Sequence, residues 1–209
     1  ALAALPLHWL RAVTVDAYDY SGQWDVSATL KQRQLMDPAS DAPADWQLNG
    51  QLAAQQLLVS TQLDADNKLD VPIENIGLDF SADRDGFAGN FSLLSKQLGT
   101  INGELDYRAG KLTGKLLADS LDLQPVQGLF PEISQLSANA SSDLSFSLFE
   151  DSLELFGDVS FTGIAINSRS LPFDVKEGEL LLNFQKQKLS LKGAAAIGDG
   201  HADLAGNGT

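Results

Sequence analysis

His8 and His201 are the only histidines in the 209-residue chain, and they stand far apart. Neither lies in the spacing that a zinc site needs. With no cysteine present, thiolate metal sites, disulfides and cysteine nucleophiles are excluded. The segment Asp64-Ala65-Asp66-Asn67-Lys68-Leu69-Asp70 opens like a calcium loop. However, Leu69 stands where such a loop turns on glycine, and Asn75 where it closes on glutamate. It reads as a polar hairpin turn. Asp83 and Asp85 are close in sequence, but they sit in the turn signal Asp83-Arg84-Asp85-Gly86. No nucleophile elbow, phosphate loop or dinucleotide fingerprint occurs. The residues therefore predict no catalytic site, no metal, no cofactor and no enzyme.

The charge balance narrows the partners. Lysine and arginine number 14 against 28 acidic residues, a formal net charge of −14. Nucleic acid needs a basic footprint, and docking on an anionic leaflet needs positive charge. Both are excluded, and the acidity serves solubility. No apolar run approaches the ~20 residues of a membrane-spanning helix. Ala1 to Leu10 is apolar but short and has no basic segment before it. The ending Ala205-Gly206-Asn207-Gly208-Thr209 suggests a fragment of a longer protein.

The elements follow from periodicity. Apolar residues alternate with polar ones along most of the chain, as in Trp24/Val26/Ala28/Leu30, Leu78/Phe80 and Leu180/Leu182/Phe184. This is the pattern of strands with one apolar and one wet face. Turn signals at Asp83–Gly86, Ala109-Gly110, Glu150-Asp151 and Gln185–Lys188 join neighbours in an antiparallel meander. The pattern predicts about fourteen strands, a sheet on the order of 65 Å long. Lys31 to Asp45 reads as an exposed loop. Short helices are expected over Leu2 to Arg11 and Gln124 to Gln135, the second broken by Pro131. Leu52 to Leu58 has helix-forming composition but is read as extended.

A recurrent motif, apolar–x–Gly–polar–apolar, places Gly22, Gly50, Gly89, Gly103, Gly114 and Gly157 on the apolar face between large side chains. Such glycines weaken a strand; what they offer is a bend or room for another group. Two architectures satisfy this. One is a β-sandwich in which the glycines admit side chains of an opposite sheet. The other is an elongated, strongly curled antiparallel sheet, a trough with an apolar floor. The predicted lining is Trp24, Leu48, Leu78, Phe80, Phe91, Leu105, Leu116, Phe146, Leu155, Phe161, Leu182 and Leu191. Neither expected helix is long enough to cover that face, which leaves the sheet itself or an apolar ligand.

The two halves of the chain also resemble each other. Val15–Leu30 overlies Ile133–Leu148 at an offset of 118, and Leu48–Leu52 overlies Leu155–Val159 at 107. Leu78-Asp79-Phe80 overlies Leu182-Asn183-Phe184, and Gly89 overlies Gly193, both at 104. Leu57 and Val59 meet Ile164 and Ile166, which is why this stretch is read as a strand. The expected organisation is a first β-repeat with its leading linker over 1–122 and a second over 123–209, in one continuous sheet.

Several of these features resemble the TamB proteins and their AsmA-like relatives. They are the x-Gly-x-Leu strands, the linkers Leu5–Leu10 and Leu123–Phe130, the block Ser170-Leu171-Pro172-Phe173-Asp174-Val175 and the ending Gly200–Gly206. The resemblance implies an inner-membrane-anchored protein whose periplasmic part is a β-sheet trough with an apolar interior. It implies movement of phospholipid or of outer-membrane-protein clients between the two membranes, and an outer-membrane barrel partner, TamA. By that resemblance this chain is an internal or C-terminal-side periplasmic piece. The competing reading from another class is a structural or adhesive β-repeat, or a β-sandwich binding module with a closed core.

Overall fold

The computed structural model describes residues 18–33, 45–62, 68–130, 132–150, 152–168 and 173–208. These form one antiparallel meander of eleven strands, with spatial order equal to chain order. The first six are β1 (Tyr18–Arg33), β2 (Asp45–Gln62), β3 (Lys68–Asp83), β4 (Gly86–Ser95), β5 (Gly99–Arg108) and β6 (Lys111–Asp122). A 3-10 helix, Gln124–Leu129, leads to β7 (Ile133–Phe149), β8 (Ser152–Ser168), β9 (Val175–Lys186), β10 (Lys188–Ile197) and β11 (Gly200–Gly208).

The described residues form eleven strands where about fourteen were expected, and several of the strands are long: β2 alone has 18 residues. At the usual strand spacing the sheet is about 48 Å across. Leu52 to Leu58 is extended within β2, as the repeat argued. The expected helix Gln124 to Gln135 shrinks to six 3-10 residues, since Gln135 already belongs to β7. Pro125 opens it, and the Phe130 amide donates to the Gln127 carbonyl to end it. The expected helix Leu2 to Arg11, most of the polar loop and residues 64–67 of Asp64–Asp70 lie outside the described residues, while Lys68–Asp70 open β3.

The sheet is open: β1 and β11 do not pair with each other. No second sheet faces it among the described residues, so the sandwich architecture is not the one adopted. The opposing layer that would have filled the glycine sites is missing, and the glycines are filled from within the sheet.

Burial is confined to a narrow band. Among the described residues the buried apolar side chains are Ala54, Leu57, Ile73, Ala138 and Ala140. Ser60 and Ser95 are the buried polar ones. Ser60 donates to the Asp70 carboxylate, 2.5 Å away on the neighbouring strand. Ser95 organises the β4–β5 turn. Its hydroxyl donates to the Pro72 carbonyl at 2.8 Å and accepts the Leu98 and Gln97 amides at 3.2 and 3.3 Å. Ser95→Ala leaves these groups without their partner in a site only 1% exposed. Urea unfolding should therefore show a loss of about 1–3 kcal/mol. A change within error would mean that water replaces the hydroxyl.

Candidate functional site

Strand pairing sorts the side chains into rows that cross the sheet, because directly opposed residues of an antiparallel pair share a face. One row runs Val26, Leu52, Leu78, Phe91, Gly103, Leu116, Leu144, Gly157, Phe184, Leu189, Gly208. It crosses all eleven strands without a polar side chain. Beside it runs Ala28, Gly50, Phe80, Gly89, Leu105, Gly114, Phe146, Leu155. On its other side lie Trp24, Ala54, Ile76, Leu93, Ile101, Ala118, Ser142, Val159, Leu182, Leu191, Gly206. An outer row at the hairpin ends contains Leu30, Leu48, Phe87, Tyr107, Leu112, Leu148 and Leu153. Phe161 sits one row further the other way, between Ala140 and Leu180.

Eleven of the twelve predicted lining residues thus fall on one face, and the backbone register of Trp24 puts its position in the same rows. Five of the six glycines join them in the rows, and Gly22 sits at a bulge of β1. Leu52, Leu93, Ile101, Leu144, Phe184 and Leu189 stand in the same rows; alternation puts them on the apolar face, but the predicted lining does not name them. Ile76 is in neither, and cross-strand register supplies it. At the rim, Leu30 is 66% exposed, and Tyr107 and Leu153 each 47%.

The glycines do not wait for an outside group. Phe80 covers Gly50, Phe91 covers Gly103 and Phe146 covers Gly114: in each pair a Cβ on the glycine would run into the neighbour's ring. Each phenylalanine stands directly opposite its glycine on the next strand. Alternating large and absent side chains fill the face to an even height, the aromatic rescue of glycine known from sheets. Gly157 differs. Its φ is +118°, and a Cβ there would strike the Asp143 carbonyl oxygen of β7, so the backbone itself requires glycine.

The opposite face is polar. A depression of about 900 Å³ opens there, lined by Asn49, Gln51, Asp79, Asn90, Glu104 and Lys115 among others. Phe80, Leu105 and Phe146, with Gly50, Gly89 and Gly114, border it from the intervening positions. Lys115 pairs with Asp143 at 3.3 Å; Lys186, opposite Leu155 at the end of the row Ala28 to Leu155, pairs with Glu154 at 3.4 Å. These exposed pairs contribute little to stability. Asp83 does what its turn position implies. Its Oδ1 accepts the Asp85 and Gly86 amides at 2.9 and 3.0 Å. His201 faces solvent beside Asp203 at 3.2 Å. Among the described residues no group of three metal-ligating side chains comes together, and no helix is long and apolar enough to cross a membrane.

A line of dislocations crosses the sheet. Gln56 in β2, Ser120 in β6 and Glu177 in β9 have φ of 54°, 52° and 51°, and Gly163 in β8 has 61°. Between them run Glu74 and the β4–β5 turn. The Lys96 amide donates to Glu74 Oε2 at 2.6 Å, and Gly99 lies opposite Ser95 and against Ser120. The Ser120 amide donates to Ser141 Oγ at 3.0 Å. At this line the alternation slips by one residue, from Leu52/Ala54 to Leu57/Val59 in β2 and from Phe161 to Ile164/Ile166 in β8. Every buried non-glycine side chain named above lies within four residues of it.

An open single-layer antiparallel sheet, apolar on one face and polar on the other, defines the class: a β-sheet scaffold that presents a continuous apolar surface. The chain matches the TamB N-terminal domain over residues 1–161, and it belongs to that family. The match is to the family's N-terminal domain, not to the C-terminal-side region that was one of the two expectations. No curated protein and no solved structure matches it.

Proposed function

We propose that the apolar face carries or shields phospholipid acyl chains, or apolar segments of outer-membrane-protein clients, on their way between the inner and outer membranes. In this reading the chain is a periplasmic, non-catalytic part of an inner-membrane-anchored protein and works with the outer-membrane barrel TamA. Membership of the TamB family supports a role in the translocation and assembly module. One observation carries the finer reading: an uninterrupted apolar row crosses all eleven strands, with no second layer over it among the described residues. Each methylene laid on such a surface contributes about 0.8 kcal/mol. A dry-cored adhesive repeat would need a layer that this sheet lacks.

A photo-crosslinking side chain placed at Leu116, on the apolar row, should capture phospholipid in cells. The same group at Glu104, on the polar face, should not. Mass spectrometry of lipid extracted from the purified chain should find phospholipid. Equal capture from both faces, with lipid-free protein, would refute the proposal.

We also infer that 1–122 and 123–209 are two units of one design. Dislocations at Gln56 and Gly163 support this, for they lie at the 107-residue offset of the sequence repeat. So do the paired Gly50/Phe80 and Gly157/Phe184, which stand opposite each other in the same way.

A further inference from the structure

We propose that the line of dislocations is a crease, and that Gln56, Ser120, Gly163 and Glu177 are positioning residues that hold the two panels of the sheet at an angle closing toward the apolar face. The argument begins with burial. In a single-layer sheet a side chain stays partly wet unless something lies over it. Leu57 is 3% exposed and Ala54 1%. They pack with Ile73, and Val59, Val71, Ile76 and Leu93 gather around them. Ala54, Ile76 and Leu93 lie on one side of the line, and Leu57, Val59, Val71 and Ile73 on the other. Side chains from both panels therefore converge on the same face, as they do at the inner corner of a fold.

The slip in alternation has the same meaning. A strand that simply bent would keep its parity and turn its apolar residues outward beyond an inserted residue. A left-handed residue absorbs the insertion, so Leu57 returns to the face of Ala54. Three of the four residues are not glycine, although left-handed backbone disfavours side chains. Their neighbours across the strands carry matching dislocations, so the conformation is fixed collectively. The 3-10 helix meets both β3 and β7. β4 and β5 end at the line in their shared turn, while β3 and β7 run on past it.

The crease sets how wide the apolar face opens, and its consequence for cargo rests on the function proposed above. The chain has no cysteine, so Gln47→Cys and Lys176→Cys, both at exposed positions on opposite sides of the line, take spin labels cleanly. The triple variant Gln56→Val/Ser120→Val/Glu177→Val puts β-branched residues where left-handed backbone is required. Its inter-label distance should lengthen by about 5 Å, one strand spacing. The triple glycine variant, Gln56→Gly/Ser120→Gly/Glu177→Gly, tolerates that backbone and should keep the distance of the parent. If the valine protein does not fold, mixed variants with one valine and two glycines keep the comparison, each giving a smaller lengthening. A distance unchanged by valine, or changed equally by glycine, overturns the crease. Lipid capture at Leu116 read on the same proteins separates the two ideas. Loss of capture with valine alone supports the crease as the gauge of the channel. Absence of capture in the parent overturns the proposed function, and the label distances still decide the crease.

Discussion

Leu155→Arg and Phe91→Arg are expected to abolish lipid capture while the sheet still folds. Both residues sit on rows that form the apolar face, and both are half-buried rather than enclosed. An arginine there can lift its guanidinium past the face into water while its stem lies on the sheet, so no charge is trapped. The folding cost is small at Leu155 and larger at Phe91, where the ring that covers Gly103 is lost as well. Cargo fares worse, because an acyl chain that detours around a hydrated guanidinium leaves contact with the sheet. Losing two methylenes of contact removes about 1.6 kcal/mol, more than tenfold in affinity. A path that must cross every strand has no way around the row containing Phe91. The measurement is crosslinking at Leu116 beside circular dichroism of the purified variants. Full capture in both variants, with the fold kept, would sink the trough reading at these sites. An arginine at the exposed polar-face position Asn90 serves as the control, and it should leave capture unchanged.

The face was legible in the sequence because period-two alternation reports sidedness directly. Trp24, Leu78, Phe146 and Leu182 could be put on one side without knowing their neighbours. Register was not legible. The repeat sets Val26 over Leu144 at an offset of 118, yet the pairing gives another equivalence. Val26 stands opposite Leu52, and Leu52 matches Val159, whose partner is Ser142, two residues short of the sequence alignment. A shift of two preserves the face, so hydrophobic matching alone does not reveal it. The sequence reads the glycines as a bend or as room for another group. Their real partners, Phe80, Phe91 and Phe146, were already in the predicted lining, but only pairing shows that each stands opposite its glycine. The dislocations had a visible sign: apolar parity changes between Ala54 and Leu57 and between Phe161 and Ile164. Read strand by strand, those slips look like noise. They acquire meaning once the pairing shows them side by side.

Gly103→Ala should cost about 1–3 kcal/mol, the usual range for forcing a methyl into filled space, because the new Cβ meets the Phe91 ring and, less closely, the Lys115 carbonyl oxygen at 2.9 Å, so that trimming the ring relieves part of the cost. The second half of the chain shows how that cost is removed. Gly206 stands opposite Leu191, and a Cβ there would lie 3.3 Å from the leucine side chain, tight but short of collision. Phe91→Leu alone should also destabilise, since it uncovers Gly103 and removes ring contacts. Combined, Phe91→Leu and Gly103→Ala should cost less than the sum of the two, by a coupling of about 1 kcal/mol in a double-mutant cycle. Gly157→Ala should admit no such rescue. Its obstacle is the Asp143 carbonyl of the neighbouring strand together with a φ of +118°, and no side-chain change moves either. The expected loss is roughly 3 kcal/mol or more, combining backbone strain with overpacking. Trimming the facing ring with Phe184→Leu should leave that loss unchanged. Rescue of Gly157→Ala by Phe184→Leu would show that this glycine, too, serves an aromatic ring rather than the backbone.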